Sequence, residues 1–174
     1  MATSALITAR EYLATSYRPD CDFVDGEVLE RNLGEYDHNK LQFAVAKFFD
    51  SMSVAWHIDV IPEQRVQVSA TRFRIPDVCI LSADEPVEQV VRRTPLLCVE
   101  ILSPEDTVFR MRERIADFLA MGVPQVWILD PKARVAIVCE GDTTVEHRAG
   151  VLALPGTPIR LNLAEIFTSV DKKS

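Results

Sequence analysis

What the sequence lacks narrows its class first. The four cysteines, Cys21, Cys79, Cys98 and Cys139, form no CxxC pair, so neither a paired-thiol motif nor a disulfide framework is indicated. Cys79 and Cys98 lie inside apolar runs and read as buried, reduced small hydrophobes in a reducing compartment. No apolar run reaches the length of a membrane span, and the N-terminus has no signal-peptide pattern. The expected location is therefore the cytoplasm of a bacterial-type cell, away from any membrane. The chain also lacks a basic excess: its formal net charge is −7. No overall field draws nucleic acid to it, which excludes a non-specific coating protein but leaves room for an enzyme with a local basic cleft. Internal repeats, linkers and low-complexity tracts are missing too. Residues 1–174 thus read as one domain, long enough to bury a core, and the 48% hydrophobic and 26% charged residues suit a globular protein.

Two runs organise what is there. Phe73-Arg74-Ile75-Pro76-Asp77-Val78-Cys79-Ile80-Leu81 and Leu96-Leu97-Cys98-Val99-Glu100-Ile101-Leu102 both read as core strands flanked by breakers. Strand period two puts Asp77 on the face of Ile75, Cys79 and Leu81, and Glu100 on the face of Leu96, Cys98 and Leu102. Each strand carries one carboxylate where a hydrophobe is due. A buried carboxylate is neutralised, paired or bound to a cation. A divalent ion resolves the conflict between two of them, and two or three oxygen ligands with open water positions suit Mg²⁺ or Mn²⁺. The alternative is structural: Asp77 caps a bend after Pro76, and Glu100 pairs with a buried arginine.

The rest of the chain supplies a frame. Residues 1–18 hold a short N-terminal helix, Thr8 to Tyr17, stopped by Arg18-Pro19-Asp20. Asp22 to Arg31 reads as a hairpin on an Asp25-Gly26 turn. Leu41, Ala44, Val45, Phe48, Phe49 and Met52 make a helical stripe that must lie on a sheet. His38 sits on the inner edge of that face, and Glu35 one turn earlier. Each is either a site residue or an ordinary helix-start residue, Glu35 as a partner of the helix dipole. Strands are predicted at 54–60 and 65–69, and a polar, mobile loop at 82–94. Ser103, Pro104 and Asp106 predict a helix start, Gly122 its stop, and Val108, Met111, Ile115, Phe118 and Leu119 its core stripe. Arg110 and Arg114 share one side of that helix; Arg112 fits a solvated face. Leu96 to Leu129, strand–helix–strand, allows a parallel crossover. Residues 135–139, an edge hairpin at 143–151, a closing helix at 163–167 and a frayed tail at 168–174 complete the order.

At this point the chain resembles a known family. Asp25-Gly26-Glu27, His38 heading its helix, Arg74-x-Pro76-Asp77-Val78, Glu100-Ile101-Leu102-Ser103 and Gly122-Val123-Pro124-x-Val126-Trp127-x-x-Asp130-Pro131 are similar to the Uma2 family, also called DUF820. That family is a group of endonuclease-like proteins in the PD-(D/E)xK superfamily. The resemblance covers about residues 10 to 140; no single piece is specific, but five in order are. It implies an α/β, restriction-endonuclease-like fold with a mixed central β-sheet flanked by helices. It implies Asp77 and Glu100 as ligands of Mg²⁺ or Mn²⁺, with a backbone carbonyl near Ile101. The superfamily lysine expected two positions after Glu100 is Leu102 here. Uma2-like chains place it on the following helix, where this chain has Arg114, one turn before Phe118.

The expected activity is metal-dependent hydrolysis of DNA phosphodiester bonds, with a homodimer suited to cutting both strands. Asp77, Glu100 and Arg114 carry it, and Glu35 and His38 contact metal-bound water or substrate. Arg72, Arg74, Arg92, Arg93 and Arg110 are candidate phosphate contacts. Arginine keeps the positive charge but cannot give up a proton near neutral pH. The competing readings are a catalytically impaired metal-binding relative that binds nucleic acid or protein, and a small-molecule phosphoesterase on the same scaffold.

Overall fold

A computed structural model of the chain describes residues 6–31, 34–104 and 106–171. In chain order the elements are α1 (Ala9–Ala14), β1 (Cys21–Val24), β2 (Glu27–Glu30), α2 (Tyr36–Ser51), α3 (Ser53–Trp56), β3 (Ile58–Pro62), β4 (Val66–Ser69), β5 (Arg72–Arg74), β6 (Val78–Ser82), β7 (Leu97–Ile101) and α4 (Val108–Met121). They continue with β8 (Val126–Asp130), β9 (Val135–Glu140), β10 (Thr143–His147), β11 (Val151–Ala153), β12 (Arg160–Asn162), α5 (Leu163–Phe167) and a 3-10 turn at Thr168–Val170. A six-stranded mixed sheet, β10-β9-β8-β7-β6-β3, forms the centre. Only β7 and β8 pair in parallel within it, joined over the top by α4. A four-stranded antiparallel sheet, β2-β1-β5-β4, stands beside it.

The alternation in the strands decides which side chain goes where. Val78, Ile80, Leu97, Val99, Ile101, Trp127 and Leu129 face α2 and α5, meeting Leu41, Val45 and Phe49. Cys79, Leu81, Cys98, Val126 and Ile128 face α4, meeting Met111 and Phe118. All four cysteines are buried and free. In the small sheet, Tyr12 of α1 stacks on Phe23 at 5.0 Å between ring centres and donates its hydroxyl to the Cys21 carbonyl at 2.6 Å. The Asp25-Gly26 turn takes positive φ at both residues, 49° and 101°, as the expected tight hairpin requires. Gly122 ends α4 with φ 102° and its N–H donating to Leu119.

Several boundaries differ from the sequence reading. The helix at residues 8–17 is shorter, Ala9–Ala14, with Thr8 capping Glu11 and Glu11 capping Thr8 in return. The single strand expected over Phe73–Leu81 is two, β5 in the small sheet and β6 in the large one. Pro76 has no N–H for a ladder, so the chain changes sheet there, and Asp77 sits at the change, not inside a strand. Residues 54–60 begin with a helical turn that His57 closes in a left-handed conformation, φ 53°, before β3 starts. The loop at 82–94 is tied down by Val91, which is fully buried. Val91 also bridges to Val66 and exchanges backbone hydrogen bonds with Arg65 and Gln67. The second long helix starts at Thr107, whose hydroxyl accepts from the Arg110 N–H, while Ser103 and Asp106 form a turn ahead of it. Glu105, the Val108 side chain and residues 172–174 lie outside the described residues. The expected edge hairpin divides: β10 pairs with β9, and Val151 opens a separate two-stranded ribbon with β12. The tail packs further than expected, with Val170 in the core and Asp171 paired to Arg134 at 2.5 Å.

Candidate active site

The antiparallel ladder of β6 and β7 ends by pairing Val78 with Val99, so Asp77 and Glu100 are the residues next to that last pair on the two chain segments. Both acids are buried, 3% and 1% exposed. Asp77 Oδ2 accepts from the Ile101 N–H at 2.7 Å, which fixes the carboxylate across the strand ends. Two other elements hold it: His38 Nε2 on α2 stands 3.4 Å from Oδ2, and Arg31 Nη2 is 2.6 Å from Oδ1. Gln42, one turn beyond His38, donates to the Asp77 carbonyl at 3.1 Å. Burial pushes the Asp77 carboxyl up, but the bond from His38 and the charges of Arg31 and Arg114 outweigh it and hold it below the usual range. Burial likewise works against a charged His38, yet the Asp77 carboxylate leaves its pKa raised.

Glu100 is handled differently. Its Oε2 lies 3.0 Å from Arg114 Nη2, while Oε1 is buried without a hydrogen-bond partner among the described residues. Burial pushes its carboxyl up to about 8, against the pull of Arg114 and with the Asp77 charge adding to the rise. Arg114 is locked by donation to the Ile75 carbonyl at 2.8 Å and lies 3.6 Å from Asp22. The sequence alternatives therefore coexist. Asp77 is near enough for its charge to raise the Glu100 carboxyl, and each acid also has its own arginine.

Of the other expected residues, Glu35 precedes α2, is exposed and caps no N–H with its side chain. It lines, with His38, a cleft of about 1480 Å³ between α4 and the β8–β10 part of the sheet. Asp77 and Glu100 do not line it. Nor do they line a small crevice bordered by Arg31, Arg110 and Arg114; Asp106 and Met111 border both spaces. Arg74 is a correction: it is 2% exposed and bound to Asp22, Asp117 and Glu113, so it presents nothing to a phosphate. Arg72 is likewise engaged by Asp25, Glu113 and Asp117. Arg110 and Arg92 are exposed and Arg93 is half-buried. Arg31 and Asp22 were missed. Asp22 had a signal, a lone charge in Cys-Asp-Phe-Val; Arg31, at the end of a hairpin 46 residues from Asp77, had none.

A mixed sheet with buried acids at adjacent strand ends and a helix-borne cation above them is the arrangement of a restriction-endonuclease-like protein. A family model described as "Putative restriction endonuclease", Uma2, matches residues 10–164, and the chain belongs to the Uma2 family. Its fold is similar to a crystal structure from Anabaena variabilis ATCC 29413 of a "putative nuclease belonging to DUF820". The TM-score is 0.83 and the identity 17%, over 94% of this chain and 99% of that one. A cryo-EM structure of a DrdV-DNA complex aligns at a TM-score of 0.42 and 13% identity, over 76% of this chain and 12% of that one. No protein of curated function matches.

The family implies a divalent metal, and the donor set fits one sparingly. No group of three His, Cys, Asp or Glu side chains forms a cage among the described residues. Two buried carboxylates remain, Asp77 and Glu100, and Glu100 Oε1 has no hydrogen-bond partner among the described residues. Hard oxygen donors few in number, completed by water, are what Mg²⁺ accepts. On Asp77, Oδ2 is taken by the Ile101 N–H and Oδ1 by Arg31.

Proposed function

We propose that the chain is a cytoplasmic, single-domain, metal-dependent endonuclease that hydrolyses phosphodiester bonds in DNA and works as a homodimer. One observation carries this reading: the unpartnered, buried Glu100 Oε1 near Asp77, with Arg114 fixed beside them. Asp77, Glu100 and the Ile101 backbone would hold Mg²⁺ or Mn²⁺. When bound, such an ion supplies Lewis-acid polarisation of a phosphoryl oxygen and makes bound water more acidic. The chain's own groups do the rest. Arg114 stays protonated, so it contributes charge to a phosphate in flight and no proton transfer. His38 orients Asp77 and carries the proton between them. Glu35, in the lining of the cleft, would meet water on its way to the site. Arg110 lies beside the crevice, and Arg92 and Arg93 lie on the 82–94 segment; all three are available for phosphate contacts that position DNA without reading it.

The second reading, a catalytically impaired relative that binds nucleic acid or protein, is favoured by the arginine on each acid. Incubating plasmid and single-stranded DNA with Mg²⁺ or Mn²⁺ separates the two, with Asp77→Ala as control. Cleavage by the wild type and none by the control is expected. Equal products from both would end the nuclease reading. Arg114→Lys is expected to keep or raise the rate, and Arg114→Ala to lower it by roughly 10²-fold, the usual scale for one charge-stabilising group. Unchanged rates in both would place Arg114 outside the chemistry.

A further inference from the structure

The residue at issue is Arg31, and the inference rests on the reading that Asp77 and Glu100 hold a divalent cation. Arg31 lies one residue beyond β2, in the small sheet, and reaches across to the start of β6. Its side chain is 12% exposed and borders the small crevice that Arg110 and Arg114 also line. Nη2 touches the buried Asp77 at 2.6 Å, and Nη1 stands 3.7 Å from Glu63, whose side chain is 52% exposed. Nε is buried with no hydrogen-bond partner among the described residues. The guanidinium is thus poorly satisfied as a donor and held chiefly by charge. It bridges one carboxylate inside the protein and one at its surface.

Glu63 is positioned for this. Its N–H donates to the Asp77 carbonyl at 3.2 Å, and it takes a left-handed φ of 53°, costly for a residue with a Cβ. Each acid here already has a basic partner: Arg31 and His38 on Asp77, Arg114 on Glu100, Arg74 and Arg114 near Asp22. A divalent ion cannot enter such a cluster without something leaving, because buried excess charge is not tolerated. Arg74 is pinned by three carboxylates, and Arg114 by a carbonyl and Glu100. Arg31 alone of the three has its second acid in solvent.

We propose that Arg31 is the resident counter-ion of Asp77, seated on the oxygen a divalent cation needs, and that cation entry drives it onto Glu63. Metal uptake is then an exchange of one cation for another. Affinity is weaker than the two acids alone would give, and the acids do not face each other bare before the ion arrives. Arg31 is a positioning residue by this account.

The test is Mn²⁺ titration of the full-length chain by calorimetry, with thermal unfolding at each Mn²⁺ level, for wild type, Arg31→Gln, Glu63→Gln and Glu100→Gln. Arg31→Gln is expected to bind Mn²⁺ at least about ten-fold more tightly, since a like charge a few ångströms from the ion is removed. Its melting temperature should be lower than wild type without the ion and rise more with it. Glu63→Gln, at an exposed side chain and safe for folding, is expected to bind several-fold more weakly, because the displaced guanidinium loses its landing point. Arg31→Gln binding no tighter than wild type, while Glu100→Gln abolishes binding, would overturn the exchange and leave the metal site standing. Wild-type affinity in Glu63→Gln would overturn the part given to Glu63. No Mn²⁺ binding by the wild type, or binding undiminished in Glu100→Gln, would overturn the metal reading and this inference together.

Discussion

On one face of the six-stranded sheet, Trp127, Ile80 and Val99 lie beneath α2 with its Phe49, α5 and the β11–β12 ribbon, an apolar layer sealed along its length. On the other, Cys98 and Ile128 share the space under α4 with Glu100 and Arg114, and a large cleft runs beside them. Both faces come from the same strands, one residue out of phase. The difference is cover: one face has two helices and a ribbon, the other one long helix, the edge strand β4 and Val91. A sealed face holds the fold. A half-covered face can keep a carboxylate oxygen without a partner, because solvent and ligand can reach its surroundings. The rim of the cleft carries Glu35, Asp37, Asp106, Asp130 and Asp142 against Arg112 and Lys132. A phosphate backbone is therefore better matched to the side where Arg31, Arg110 and Arg114 border the crevice.

The contrast can be broken most strongly at the sealed face. Phe49→Ala should cost about 3–5 kcal/mol, as for a buried aromatic, and lower the melting temperature by roughly 10 °C in a chain of this size. Mn²⁺ affinity of the folded protein should not move. A loss under about 1 kcal/mol in denaturant unfolding would mean that face is not what holds the sheet. A smaller effect is expected from Glu100→Gln, and its sign depends on pH. The Glu100 carboxyl rises from 4.5 to about 8 on folding. Its contribution is therefore complete below 4.5 and is lost as pH climbs through about 8. Gln resembles the protonated form, so the variant should melt a few °C above wild type at pH 8.5 and close to it at pH 5. Asp77 is depressed instead, so its contribution is lost only as pH falls below its ordinary 3.8. A constant offset between the two proteins across that range would remove the uncharged glutamic acid. Smallest of all, Ile137→Ser, a half-buried residue in the cleft wall, should change stability by less than about 1 kcal/mol. A larger loss would show that the cleft is closed by packing in solution.

How much of this was legible in the sequence follows physical lines. The strands with their faces, the crossover helix with its glycine stop and the two misplaced acids were all visible, because period and turn chemistry are local signals. A cation from α4 near Glu100 was visible because the helix follows its strand directly; the family resemblance singled out Arg114 over Arg110. Arg31 on Asp77 was invisible, since a contact spanning two sheets leaves no periodic trace. The start of α4 was misplaced because Ser103 and Thr107 are both competent caps, and Asp106 turned back to Ser103 first. The 82–94 segment looked loose because its anchor, Val91, is one buried residue in a polar run.

The change of sheet at Pro76 has a mechanical consequence. Asp77 is the first residue on the far side of a seam, with the small sheet pulling through Arg74 and the large one through the Ile101 amide. Its carboxylate therefore registers any tilt of one layer against the other. Whatever docks on the outer hairpin, or prises Tyr12 from its stack, would be felt at the acids as a change of aim.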